Sequence, residues 1–241
     1  MRLSDPHMTP GKWLKTILLI VVPFVIMLAP GLVVLDALLI VYHKPHSTAE
    51  LTFETTGHPV ERVTFPATDG IELVGWFIPH PESQAVIVLS HGSGSNGPAM
   101  WKWGHGPFLY EGGYSVFVFD HRGHGQSPGR VTTLGLREVR DFLGAVRYLS
   151  SRPDVDAERI GALGISMGAG VVLAAAAKEP AIKAVVADSV LADMGVTIRE
   201  RMGTISTPWG TIRFGKLLLW LLNLITGADL AAFKPLDAIL L

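Results

Sequence analysis

The 241-residue chain has no cysteine, which excludes disulfides and thiolate metal sites but decides no compartment. It has no excess of either charge: 20 Lys and Arg against 21 Asp and Glu give a net charge of -1. Without a long basic run, nucleic acid is not expected as a partner. Internal repeats and low-complexity tracts are absent as well. None of the nine histidines lies beyond residue 124. What is abundant is apolar surface, 49% of residues, and much of it sits near the N-terminus.

Residues 17–42 form an apolar run of 26 residues interrupted by one charge, Asp36. Eighteen of the 26 are Leu, Ile, Val or Phe. About twenty apolar residues cross a bilayer core of roughly 30 Å. The run is therefore expected to be a transmembrane anchor, kinked at Pro23 and Pro30-Gly31. It is long for a signal peptide and lacks an Ala-x-Ala exit. Arg2, Lys12 and Lys15 precede it and Lys44 follows it. The positive-inside rule then puts residues 1–16 in the cytoplasm and the bulk of the chain outside. Residues 43–50 read as a polar linker. His43 and His46 there are separated by Pro45, which opposes a helical metal site.

Residues 51–241 alternate strand and helix signals. Strands are expected at Glu61–Phe65 and Ile71–Ile78, joined by a turn at Asp69-Gly70. Continuous apolar runs at Ala85–Leu89 and Tyr114–Phe119 fit strands buried on both faces, and further strands are expected at Ile160–Ile165 and Ile182–Ala187. Leu136, Val139, Leu143 and Val146 recur at 3-4-3 spacing, which predicts a helix over Thr133–Ser150 capped by Thr132 or Thr133. Glu138 and Asp141 are expected to be exposed charges on it. A further helix is expected over Gly168–Lys178. This order implies an α/β fold with a mostly parallel, doubly wound sheet. Residues 191–233 break the rhythm and contain Trp209 and the apolar stretch Leu217–Ile225. That segment reads as a core or cap helix, or as a lid over a substrate.

Gly92-Ser93-Gly94-Ser95-Asn96-Gly97 matches G-x-G-x-x-G, and Asp120 follows 23 residues after Gly97, the pattern of a dinucleotide loop. Pro98 would be tolerated only in the first turn of the required helix. The following glycines, and the two strands preceding the motif, argue further against a nucleotide.

Gly164-Ile165-Ser166-Met167-Gly168 lies between a strand signal and a small-residue helix signal. That context marks a nucleophile elbow, a tight turn that lifts a serine hydroxyl clear of the backbone. Together with His91-Gly92 and Asp120-His121-Arg122-Gly123-His124-Gly125-Gln126-Ser127, it resembles the α/β-hydrolase superfamily. Within that superfamily the likeness is to bacterial serine hydrolases of the serine-aminopeptidase-like and Bem46-like kind, and it runs from about residue 60 onward. Each motif falls at the carboxyl end of a strand, where open α/β sheets place their sites. The resemblance implies Ser166 as catalytic nucleophile, with the Met167 and Ser93 N–H groups forming an oxyanion hole. It implies acyl transfer without a cofactor or metal, on a small-molecule or peptide acyl substrate. His121 and His124 have ligand-like spacing but no third partner. Arg122 and the loop around it are expected to brace neighbouring loops.

In this superfamily the serine precedes an Asp or Glu and then a histidine. Asp188 is a candidate acid, with loop capping as its plainer role. His91, expected at the tip of the strand beside the serine strand, is the upstream imidazole that could substitute as base, though its usual part is to shape the oxyanion loop. The tail Phe233–Ile239 resembles the lead-in to a further strand. These features predict a truncated hydrolase, its sheet ending at Ile182–Ala187 with an apolar edge.

Overall fold

The computed structural model describes residues 13, 15, 19, 20, 31–42, 49–208 and 210–239. Its centre is a six-stranded sheet built from β1 (Glu61–Pro66), β2 (Glu72–Ile78), β3 (Val86–Ser90), β4 (Ser115–Phe119), β5 (Ile160–Ile165) and β6 (Ile182–Asp188). The strand order is β1-β2-β4-β3-β5-β6. β2 runs antiparallel to both its neighbours, and the β4-β3-β5-β6 block is parallel. The crossovers carry helices α3 (Gly97–Lys102), α4 (His105–Glu111), α5 (Glu138–Ser150) and α6 (Met167–Ala176).

Alternation along the strands builds two cores. Phe117 and Phe119 of β4 join Phe65, Phe77, Val86 and Val88 beneath Phe142, Val146 and Leu149 of α5 and Val171 and Val172 of α6. Val116 and Val118, one residue out of phase, join Trp76, Ile78 and Leu89 against Met100 and Trp101 of α3 and Tyr110 of α4. A period of two sends successive side chains to opposite faces, so continuous apolar runs are what a sheet covered on both sides needs.

Helix α5 starts at Glu138, five residues later than the expected Thr133, because its carboxylate turns the preceding chain into a cap. Its oxygens accept from Thr132 Oγ1 (2.8 Å), Thr133 N–H (2.8 Å), Thr133 Oγ1 (2.6 Å) and Gly135 N–H (2.9 Å). Leu134 within that turn has a positive φ of 53°. Glu138 and Asp141 are fully buried, which corrects the expectation of exposed charges. Asp141 is one jaw of a clamp on Arg122. The Arg122 Nε donates to Asp141 Oδ1 at 2.7 Å and its backbone N–H to Oδ2 at 2.9 Å. The two Nη groups donate to Asp69 at 2.8 and 2.7 Å. A buried charge is tolerated only when paired and hydrogen-bonded in this way. The loop-bracing role expected of Arg122 is what these contacts describe.

Before β1 lie helix α1 (Gly31–Val41) and the short α2 (Phe53–Thr56). The carboxyl end of α1 docks on the domain: Thr132 N–H donates to Val41 O at 3.0 Å, Tyr42 pairs with Val131, and Ala37 and Val41 are buried. Leu32, Leu35 and Leu39 point outward. Among the described residues no single helix is long and apolar enough to cross a membrane. Most of the apolar run 17–30, including Pro23 and Pro30, lies outside the described residues, as do His43, His46 and Trp209.

Residues 191–233 depart from the βα rhythm, as expected. They form α7 (Met194–Val196), a π-helical turn (Thr197–Met202), a hairpin of β7 (Thr204–Thr207) and β8 (Gly210–Arg213), and α8 (Gly215–Thr226). The tail forms a 3-10 turn, Pro235–Ile239. β6 is the last strand of its sheet, with Val186 58% exposed, so the expected apolar edge is present.

The Arg122 guanidinium holds the Asp69 carboxyl at a pKa of about 2, against an ordinary 3.8. A lowered folded pKa stabilises fully above the ordinary value, and that stabilisation is lost as pH falls through the folded one. Asp69 is a quarter exposed, so Asp69→Asn is expected to cost about 1–2 kcal/mol at pH 7. Its gap to wild type in urea midpoints should close as pH falls from 4 to 2.

Candidate active site

Ser166 sits between β5 and α6 with φ 54° and ψ -114°. A non-glycine residue at positive φ is strained by about 1–3 kcal/mol and persists only where its surroundings dictate it. Here the surroundings are backbone. The Ser166 N–H donates to Asp188 O at the tip of β6 (2.9 Å), and its C=O accepts from Ala169 N–H (3.1 Å) and Gly170 N–H (3.3 Å). Gly164 and Gly168 close the turn without side chains. A Cβ on Gly164 would collide with the Gly168 carbonyl, and one on Gly168 with the Ser90 carbonyl. The serine side of the turn remains half-buried and open to solvent.

Two other strand tips converge on it. The Met167 N–H is the first of α6, where helices leave N–H groups without intrahelical acceptors. It makes no hydrogen bond among the described residues. Gly92, after β3, packs directly beside the serine. A methyl placed on it would touch Ser166 Cβ at 3.4 Å and stand 4.0 Å from Oγ. Ser93 is the next residue, exposed at the second position of a turn closed by Ser95 N–H to Gly92 O (3.2 Å), with Gly94 at φ 75°. The loops bearing Ser93, Ser166 and Met167 are thus neighbours.

The tip of β4 supports this loop. Asp120 accepts from Gly97 N–H and from Gln126 N–H, both at 2.6 Å, and so ties the loop after β3 to the loop after β4. Burial pushes its carboxyl up to about 6, against these N–H donors and the charges of His121 and Arg62. Ser127 donates to Asp120 O (2.6 Å) and accepts from Val74 N–H (3.0 Å). This use of Asp120 removes the dinucleotide reading. The carboxylate that would hold a ribose is bonded to the third glycine of the loop, and α3 ends after six residues. Pro98 is tolerated in the first turn of that helix, which Asn96 caps.

The histidines are occupied elsewhere. His91 Nε2 accepts from the His121 N–H (3.1 Å), so Nδ1 carries the proton and donates to Gly92 O (2.8 Å). Its lone pair is therefore not available to Ser166, and His91 does not substitute as a base. His121 Nε2 pairs with Ser90 Oγ (2.7 Å), and His124 Nδ1 donates to Arg122 O (2.9 Å). Their rings stand 4.9 and 5.0 Å from that of His91 and form a buried packing cluster. No group of three His, Cys, Asp or Glu among the described residues has metal-holding geometry. The Asp188 side chain is exposed and accepts from the Ser189 hydroxyl (2.9 Å). What Asp188 gives the serine turn is its backbone carbonyl.

The sheet order with β2 alone reversed, and a strained serine between the next-to-edge strand and its helix, define an α/β-hydrolase. Residues 40–217 match the family model for X-Pro dipeptidyl-peptidase (S15 family), and the chain belongs to that family. It is 37% identical over 148 residues to the protein YfhR of Salmonella typhi, covering 54% of this chain and 48% of that one. It is 28% identical over 142 residues to the thiohydrolase aneE of Aspergillus aculeatus, covering 58% and 44%. Among solved structures it is similar to the Pyrococcus furiosus esterase Pf2001, at 30% identity and a TM-score of 0.54, over 61% of this chain and 58% of that one. The chain spans about half the length of the curated relatives it matches.

Sequence reasoning missed Glu138 and Asp141 as buried supports of this region. Their only signal was Thr132-Thr133 before one and Arg122 as an unmatched cation for the other. Gly168→Ala would put a methyl group 2.6 Å from the Ser90 carbonyl carbon and 2.8 Å from His91 O. It is expected to destabilise by about 3 kcal/mol or more. The Gly57→Ala control, with open space around its Cβ but φ 75°, should lose only about 1 kcal/mol in the same urea titration.

Proposed function

We propose that this chain carries the nucleophile and oxyanion site of a serine hydrolase that cleaves an ester, thioester or amide through an acyl-enzyme on Ser166. One observation carries the reading: Ser166 is held at positive φ beside the unpaired first N–H of α6. Ser166 Oγ adds to the acyl carbonyl carbon and yields its proton to a base. The carbonyl oxygen becomes an oxyanion facing the Met167 N–H and, by family resemblance, the Ser93 N–H. Each such donor is worth about 3–4 kcal/mol in the transition state. Collapse expels the leaving group with the proton, and water then releases the acid. Family membership and the likeness to a thiohydrolase and an esterase support this chemistry. The order of the three strand-tip motifs supports the finer assignment to the serine-aminopeptidase-like and Bem46-like kind. No cofactor enters.

The base is the missing part. His91, the imidazole weighed for that part, gives its lone pair to the His121 N–H, so the reading requires a base other than His91. The apolar run 17–42 and the Lys and Arg residues before it support a membrane anchor with residues 51–241 outside the cytoplasm. Residues 191–233 are read as a cap over the acyl pocket.

A missing base can be replaced by imidazole in solution. Hydrolysis of p-nitrophenyl acetate by the full chain is expected to rise with added imidazole above the rate of imidazole alone. Ser166→Ala should abolish that protein-dependent increment at every imidazole concentration. Equal rates for the two proteins sink the enzyme reading and leave a non-catalytic, membrane-tethered hydrolase-like domain.

A further inference from the structure

Helix α8 turns two unlike faces to its surroundings. Leu218 and Leu222 are fully buried, whereas Trp220 is 60% and Leu224 66% exposed, with Leu217 on the same stripe. Positions 217, 220 and 224 fall on one side of a helix. Residues 217–226 contain no charge. The hairpin before α8 adds a cross-strand pair, Ile205 opposite Ile212, both more than half exposed. A two-stranded hairpin with an apolar pair in water is marginal by itself. Its base is fastened to the start of α8, where Phe214 N–H donates to Gly203 O at 2.8 Å and Gly203 packs on Gly215.

Charge is distributed unevenly around this apolar surface. Residues 197–216 hold Arg199, Arg201, Arg213 and Lys216 against the single acid Glu200. That segment is +3 in a chain of net charge -1, so all the rest sums to -4. Apolar side chains flanked by cations, with an exposed Trp, are the composition of an element that lies in the interface of an anionic bilayer.

The carboxyl ends of α8 and α1 also lie close together. Tyr42, which follows α1, pairs with Val131, and Val131 lines one groove of about 540 Å³ with Ile225 and Thr226 of α8. Arg130 and Arg137 line the same groove. Helix α1, whose carboxyl end is thus near that of α8, itself carries the outward Leu32, Leu35 and Leu39.

We propose that the β7–β8 hairpin and the Leu217-Trp220-Leu224 stripe of α8 are a second membrane contact, seated on an anionic phospholipid surface next to α1. This rests on the anchor reading of residues 17–42 and goes beyond it. The hydrolase domain lies against the bilayer with its cap, instead of standing off on a linker.

The absence of cysteine permits single-cysteine labelling of the full chain. Leu224→Cys, Leu35→Cys and the control Glu82→Cys, in the loop entering β3, each carry an environment-sensitive nitrobenzoxadiazole label. They are reconstituted in phosphatidylcholine vesicles with or without phosphatidylglycerol. At Leu224 and Leu35 the label is expected to be quenched by nitroxide lipids and shielded from aqueous iodide about threefold relative to Glu82. Shielding at Leu224 should weaken without phosphatidylglycerol. A Leu35 label that is shielded while Leu224 is as open as Glu82 overturns the second contact and leaves the anchor. Both labels open overturns the anchor as well. Shielding of Leu224 that follows the protein-to-lipid ratio and ignores phosphatidylglycerol marks a second copy as the occupant and also overturns the proposal.

Discussion

The candidate site depends on how closely three backbone segments approach one another. The chain after β5 must turn sharply within van der Waals contact of the chain leaving β3, and no side chain fits between them. Gly164 faces the Gly168 carbonyl, Gly168 faces the Ser90 carbonyl, and Gly92 faces Ser166. Once these glycines are in place, the turn has nowhere else to go. The positive φ of Ser166 is then imposed by packing. The strain is small beside the cores on either face of the sheet, so the fold can hold a hydroxyl in a posture that a free peptide would abandon.

Around that contact the strand-tip loops are held by carboxylates. Asp120 binds two loops through their N–H groups, Glu138 gathers the turn before α5, and Asp69 and Asp141 grip Arg122 from two sides. None of these groups points at Ser166. Their work is to make irregular chain as rigid as the sheet that carries it. Loops of this kind would otherwise have unpaired polar backbone at the edge of a dry core. The buried histidines extend the same pattern, since each ring nitrogen tied to a neighbouring loop fixes that loop further.

Much of this was legible in the sequence. Apolar runs of strand length located β3 and β4, because strands covered on both faces must be continuously apolar, and the turn at Asp69-Gly70 placed β1 and β2 on either side of it. The G-x-S-x-G turn was legible because its glycines are demanded by backbone contact. Burial of charge was not. Glu138 and Asp141 occupy helix positions that periodicity assigns to solvent, and only their partners, 3 to 19 residues away in sequence, take them inside. Helix boundaries slipped for the same reason, since the Glu138 cap replaces the turn of helix that the pattern alone would draw. The dinucleotide pattern could be dismissed only in part from sequence. Its rejection rests on where the Asp120 carboxylate points, which is a tertiary fact.

β6 ends the sheet with its outer row of N–H and C=O groups facing away from β5. Its last carbonyl, that of Asp188, already receives the Ser166 amide on the inner side. Neighbouring strands lie about 4.8 Å apart, so any polypeptide annealed parallel to that rim would finish about 10 Å from the hydroxyl. A loop of two or three residues bridges such a gap. A strand on the open rim is thus set at a fixed spacing from the serine, two strand widths across the sheet.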